Sequence, residues 1–208
     1  MEVLDALRRR RAVRDYKPVA VSATILRQLI SAASWAPSAM NEQPWHFTVV
    51  TDAALLDEIS RRSKNWMLNA LAAMPRPGHF RDLLADPLFH IFYHAPALIV
   101  ISVPDDRQWS AEDCALAAQN MMLAALEQNL GSCWIGFAQG WLNTEEGLNL
   151  LELPRQSRVV APIIVGYPNA VPPPVPRKPP LITWIGKIAA PPEPTPPPGA
   201  SNGALIHP

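Results

Sequence analysis

Apolar residues recur at two periods along this chain, and the switches between them divide it into helices and strands. Val3, Leu4 and Leu7 fall at helical spacing, so residues 2–10 read as an amphipathic helix. An extended segment, residues 13–18, should follow, because the residue before Pro18 is pushed out of the helical region. Ser22 is placed to cap a second helix, whose Ile25, Leu26, Leu29 and Ile30 keep the 3.6-residue period up to Ala33. Residues 45–51, aromatic and β-branched, read as a buried strand. Asp52 then caps a helix over residues 53–60, with Leu55, Leu56 and Ile59 facing inward. From Arg61 to His94 the period weakens among Pro75, Pro77, Gly78 and Pro87, which predicts short helices and a mobile connection. Residues 97–103 form an apolar run of strand length, expected at the centre of a sheet covered on both faces. Residues 113–129 give the strongest helix. Being apolar on nearly every side, it belongs in the core or in a subunit interface, and Gly131 is placed to end it. Residues 131–137 read as a short strand bracketed by glycines, residues 143–153 as a helix with acids in its first turn, and residues 159–165 as another buried strand.

Composition changes the picture at the C-terminal end. Fourteen of the 24 prolines lie from Pro168 onward, which rules out ordinary helix or central strand there. The expectation is one domain over residues 1–188, with an extended arm from about residue 168, and a proline-rich flexible tail over residues 189–208. The arm carries two islands, Arg177-Lys178 and the apolar residues 181–185, and apolar residues carried away from their own domain are explained by packing on a partner subunit. A length of 208 residues with 49% hydrophobic content suffices for a full core. Zero net charge argues against a dedicated nucleic-acid binder. Cys114 and Cys133 stand in apolar surroundings without metal-site spacing and read as reduced, buried thiols. Charged residues occupy the positions where a signal peptide needs its apolar stretch, and no run reaches the roughly 18 apolar residues of a membrane span. A cytoplasmic protein without membrane segments is expected.

The candidate chemistry lies in four stretches. Residues 37–45 form a polar loop bounded by Pro37 and Pro44, which could hold hydroxyl and amide donors ready for a ligand. Arg8, Arg9, Arg10, Arg11 and Arg14 place five guanidinium groups in seven positions, suited to a phosphate or to the carbonyl edge of a planar heterocycle. The glycines of residues 131–137 permit close approach of backbone to a flat ligand. Arg177 and Lys178 add charge on the arm. The histidines at 46, 79, 90, 94 and 207 have no Cys or carboxylate at ligand spacing, so no metal is expected. No Ser-His-Asp order and no Gly-rich phosphate loop occurs. Binding groups without an evident acid, base or nucleophile point to chemistry carried by a bound cofactor. The other reading of the arginines is a nucleic-acid or partner-binding arm on a non-enzymatic protein.

Together the four stretches resemble the nitroreductase family of flavin-dependent oxidoreductases. Residues 10–16, Arg-Arg-Ala-Val-Arg-Asp-Tyr, are similar to the family's opening signature, and residues 37–45, Pro-Ser-Ala-Met-Asn-Glu-Gln-Pro-Trp, match its Pro-Ser-x-x-Asn-x-Gln-Pro-Trp loop. Residues 131–136 and 177–179 look like its third and fourth elements. The resemblance implies an α+β fold, with a central, mostly antiparallel sheet flanked by helices, in an intertwined homodimer with FMN at the interface. It implies that Arg10 and Arg11 hold the phosphate and ribityl chain and that Arg14 reaches the pyrimidine edge of the flavin. Pro37, Ser38, Ala39 and Asn41 would come from the other subunit. The backbone of Trp134, Ile135 and Gly136 would approach the ring, and Arg177 or Lys178 would complete the phosphate site. Ala12 stands where the family usually has serine, which removes one hydroxyl contact. The implied reaction is ping-pong: NADH or NADPH reduces FMN, and a small aromatic acceptor, a nitro compound or quinone, is then reduced in the same cleft. Some relatives of the same fold instead reduce carbon–halogen bonds or consume their flavin.

Overall fold

The computed structural model describes residues 2–72, 80–105 and 107–186. Eleven regular elements follow in chain order: α1 (Val3–Arg9), α2 (Ala23–Ala33), β1 (His46–Val50), α3 (Ala53–Ala72), α4 (Phe80–Ala85), β2 (Ala97–Val103), α5 (Ser110–Glu127), β3 (Gly131–Trp134), α6 (Gly136–Leu142), α7 (Glu145–Leu150) and β4 (Arg158–Gly166). The strands form one sheet in the order β1-β2-β4-β3, with every neighbouring pair antiparallel. This is the antiparallel α+β architecture expected from the sequence.

Two cores form because both central strands are apolar on both faces. On one face Leu98, Val100, Val159 and Ile164 pack with Leu56 and Ile59 of α3, Ala138 and Leu142 of α6, and the N-terminal Val13 and Tyr16. On the other, Ile99, Ile101, Ala161 and Ile163 meet Leu26 and Leu29 of α2 and Ala117, Ala118 and Met121 of α5. All seven residues of β2 are buried, as the apolar run requires. β1 departs from the expectation of a buried strand: only Val50 is buried, because β1 is an edge strand with a single neighbour.

The caps at Ser22, Asp52 and Thr144 form: each side-chain oxygen accepts a backbone N–H of its helix's first turn, from Ile25, Leu55 and Gly147. Several boundaries differ from the expected ones, two of them for a plain packing reason. α3 runs on to Ala72: past Leu56 and Ile59 its buried face is made of Ser60 and Ser63, small residues that lie against α6, and Met67, Leu68 and Leu71 then pack against the core. At the end of α5, Asn129 (φ 55°), not Gly131, takes the left-handed position; the N–H of Leu130 reaches the Ala125 carbonyl (2.9 Å) and that of Asn129 the Leu126 carbonyl (3.1 Å). Gly131 is needed for a different reason, since a Cβ there would lie 2.5 Å from the Val13 side chain. The expected connection over residues 61–94 is thus helix up to Ala72, while residues 73–79, with Pro75, Pro77, Gly78 and His79, lie outside the described residues.

The chain divides into two compact units between Pro174 and Val175. Over residues 175–186 the second unit is exposed chain without helix or strand, and it presents Leu181, Ile182, Trp184 and Ile185 to solvent. The tail over residues 189–208 lies outside the described residues. Among the described residues no helix is long and apolar enough to cross a membrane.

Candidate functional site

The N-terminal segment is locked onto the outer edge of the sheet. The Val13 N–H donates to Ser132 of β3 (3.1 Å), Ala12 bridges Ser132, and the Lys17 N–H donates to Tyr167 (2.8 Å). Buried Tyr16 closes the turn by donating its hydroxyl to the Val13 carbonyl (2.8 Å). The arginine stretch is therefore an integral edge of the fold and not a free basic arm.

Its guanidinium groups separate into two directions. Arg10 and Arg14 both act electrostatically on Cys133, drawing its thiol pKa down against the larger effect of burial, which pushes it up. Arg14 also acts on Tyr93, drawing that phenol's pKa down against the larger upward push of burial. Arg11 turns the other way: it donates to the carbonyls of Arg8 and Arg10 and to Pro173 (3.2 Å), beside a cavity of about 490 Å³ that Arg9 and Lys17 also line.

β3 leads from Cys133 directly to Gly136. The strand is shorter than expected, because helix α6 begins at Gly136. Ile135 commits its N–H to the Pro162 carbonyl (2.8 Å), and Trp134 is half-buried. Nothing lies within 4 Å of the position a Cβ on Gly136 would take. Open space over a glycine that follows a buried strand, with the positive charges of Arg10 and Arg14 felt at Cys133 of that strand, fits a flat, anionic, ring-bearing ligand such as FMN.

The polar loop sits elsewhere. Pro37 precedes a tight turn, Ala39–Asn41, in which Met40 (φ 51°), Asn41 (φ 57°) and then Gln43 (φ 50°) adopt left-handed conformations. Ser38 accepts the Gln43 N–H (3.0 Å), Asn41 accepts from the Gln43 side chain (3.0 Å), and buried Asp113 accepts the Ala39 N–H (3.0 Å). The turn feeds β1 at one edge of the sheet, whereas Ala12, Cys133 and Gly136 border β3 at the other. Three inter-strand spacings, about 14 Å, separate those edges within one chain. Arg177 and Lys178 lie in the second unit, on exposed chain.

One cluster joins His90 and His94, four apart in the sequence, to a carboxylate that sequence reasoning missed. Asp57, on α3, comes together with His90 and His94, their ligand-capable atoms within 4.8 Å of one another. The donors there are not set for a cation. His90 Nδ1 accepts the Phe92 N–H (3.2 Å), which leaves the ring proton on Nε2, where it is donated to Asp57 (3.1 Å). Metal at Nε2 would move that proton into the Phe92 N–H. The cluster is a hydrogen-bonded strut between α3 and the 86–94 segment; Asp57 lies 33 residues from His90, so no local spacing could reveal it.

The helix-flanked antiparallel sheet and the arginine-lined glycine corner define a nitroreductase-type α+β protein. The nitroreductase family profile matches residues 7–167, and the chain belongs to that family. It is 31% identical over 170 residues to an Archaeoglobus fulgidus protein named for NADH dehydrogenase or NAD(P)H nitroreductase activity, covering 81% of this chain and 86% of that one. It is 28% identical over 180 residues to the iodotyrosine deiodinase of Thermotoga neapolitana, covering 83% and 92%. Among solved structures, a nitroreductase of Bacteroides fragilis with bound FMN superposes with a TM-score of 0.76 at 31% identity, over 89% of this chain and all of that one.

Proposed function

We propose that this protein is an FMN-dependent NAD(P)H oxidoreductase that acts as a homodimer and reduces electron-poor aromatic acceptors, nitro compounds or quinones, by a ping-pong route. The observation that carries this reading is the open space at Gly136, just past the strand whose Cys133 feels the positive charges of Arg10 and Arg14. The FMN of the Bacteroides fragilis structure and the NAD(P)H in the name of the Archaeoglobus relative support it. FMN supplies hydride transfer between nicotinamide and acceptor, for which no side chain of this site is equipped.

The chain's own residues bind and polarise. Arg14 would hold a positive charge to offset the negative charge that the pyrimidine edge of a bound flavin gains on reduction. Arg11 already donates to three backbone carbonyls, so within the first unit the phosphate falls chiefly to Arg10. Gly136 admits the ring against backbone. Ser38, Ala39 and Asn41 stand at the opposite sheet edge, so the turn that completes a site belongs to a second copy of the chain. Two turns then serve two sites in a symmetric dimer.

Dehalogenation of an aromatic acceptor is the second reading, favoured by the similarity to iodotyrosine deiodinase. The deciding experiment is the visible spectrum of protein loaded with FMN, followed by anaerobic addition of NADH or NADPH. Bleaching by either donor, then recovery of colour on adding a nitroarene or quinone, is expected. Recovery with halophenols alone moves the second reading to first place, and protein that takes up no FMN sinks both.

A further inference from the structure

We propose that Asp113, a buried residue of α5, is the positioning residue for the cofactor-facing turn, acting on FMN through Ser38 and Asn41. The proposal rests on the reading that this turn borders FMN bound to a second copy. Three residues of the turn, Met40, Asn41 and Gln43, hold positive φ, a conformation costly for side-chain-bearing residues and maintained only where surrounding contacts over-determine it.

The contacts that do so differ in kind. The bonds from Gln43 to Ser38 and to Asn41 are internal to the turn and exposed. The Arg107–Glu42 ion pair (3.3 Å) is exposed on both sides, hence weak. Asp113 is different: it is only 5% exposed, sits in the first turn of α5 and accepts the Ala39 N–H at 3.0 Å. A bond to a buried acceptor is better shielded from water than the others, and it ties the turn to an element packed in the core.

The network also fixes which atoms face outward. Because the Ser38 oxygen accepts from Gln43, its hydroxyl proton remains to be donated. Because Asn41 Oδ1 accepts from Gln43 Nε2, the Asn41 amide group presents its N–H donors. Ala39 contributes no donor, its N–H being held by Asp113. The turn therefore offers donors from Ser38 and Asn41, matched to the carbonyl oxygens of an isoalloxazine, and Asp113 keeps it in that register.

The test is FMN titration by flavin fluorescence and amide hydrogen exchange of residues 38–43 in flavin-free protein. Asp113→Ala should raise the FMN Kd about tenfold or more and speed exchange of the turn, while Asp113→Asn, whose amide oxygen still accepts from Ala39, restores both. Ala39→Pro deletes the same bond from the other side; Ser38 is already extended (ψ 153°), as a residue before proline must be, so this variant tests the idea even where Asp113→Ala fails to fold. A folded Asp113→Ala or Ala39→Pro protein with wild-type Kd and wild-type exchange overturns the proposal, as does an Asp113→Asn protein no better than Asp113→Ala. Wild-type protein without affinity for FMN instead overturns the reading on which the proposal rests, and that failure shows before any variant is made.

Discussion

At the scale of single residues, His90 shows how a polar side chain can be satisfied without doing chemistry. Burial, and then the stacked His94 ring 4.4 Å away, push its pKa below 6.5; Lys64 adds to this, and Asp57 opposes it. The fold thus favours neutral imidazole, which is also the form its two hydrogen bonds need, since a proton on Nδ1 would meet the Phe92 N–H. The sign follows: the unfolded chain binds the proton more readily, so this contribution is fully present above about pH 6.5 and is lost as pH falls through that value toward the lower folded one. Urea unfolding midpoints of wild type should decline on acidification below about pH 6.5, and those of His90→Asn should start lower but change less over the same range. Equal slopes for the two proteins would count against the assignment.

At the scale of elements, the β3–α6 unit carries two glycines for opposite reasons. Gly131 has no room: Val13 crosses it because the N-terminal segment pairs with Ser132. Gly131→Ala should lower stability by about 1–3 kcal/mol, read from chemical denaturation. Gly136 has room, and its backbone is not left-handed. Gly136→Val should therefore leave the melting temperature within a few degrees of wild type yet weaken FMN binding severely, because the side chain occupies the space meant for the ring. A Gly136→Val protein that binds FMN normally would place the ring elsewhere. The sequence marked both glycines as permitting close approach of backbone, but which approach is to a ligand and which to Val13 depends on a pairing between residues more than a hundred positions apart.

At the scale of the whole molecule, the question is what covers the exposed apolar residues. Val3, Leu4 and Leu7 on α1, Trp35 and Met40 beside the loop, and Leu181, Trp184 and Ile185 on the arm are all exposed. On the proposed reading, a second copy of the chain covers such exposed apolar residues. The first unit contains both hydrophobic cores, so a chain ending at Pro174 should fold. Light scattering after size exclusion should give a dimer for the full chain and a monomer, with weakened FMN affinity, for the chain cut after Pro174. A truncated protein that stays dimeric and keeps its affinity would remove the arm from the interface.

The sequence by itself determined the elements whose cause is local: the apolar runs of β2 and β4, the caps at Ser22 and Asp52, the proline-rich character past Tyr167, and the motifs that mark the family. Periodicity, capping and turn chemistry act over a few residues, so they can be read without the fold. Tertiary structure decided what depends on distant partners. It made β1 an edge, extended α3 over Ser60 and Ser63 against α6, and gave Asn129 the left-handed cap. It also joined Asp57 to His90 and Asp113 to Ala39, and set the arginine corner and the polar turn at opposite edges of one sheet. Each of these follows from which segments pair across the sheet, and that pairing is a property of the whole chain that no short stretch encodes.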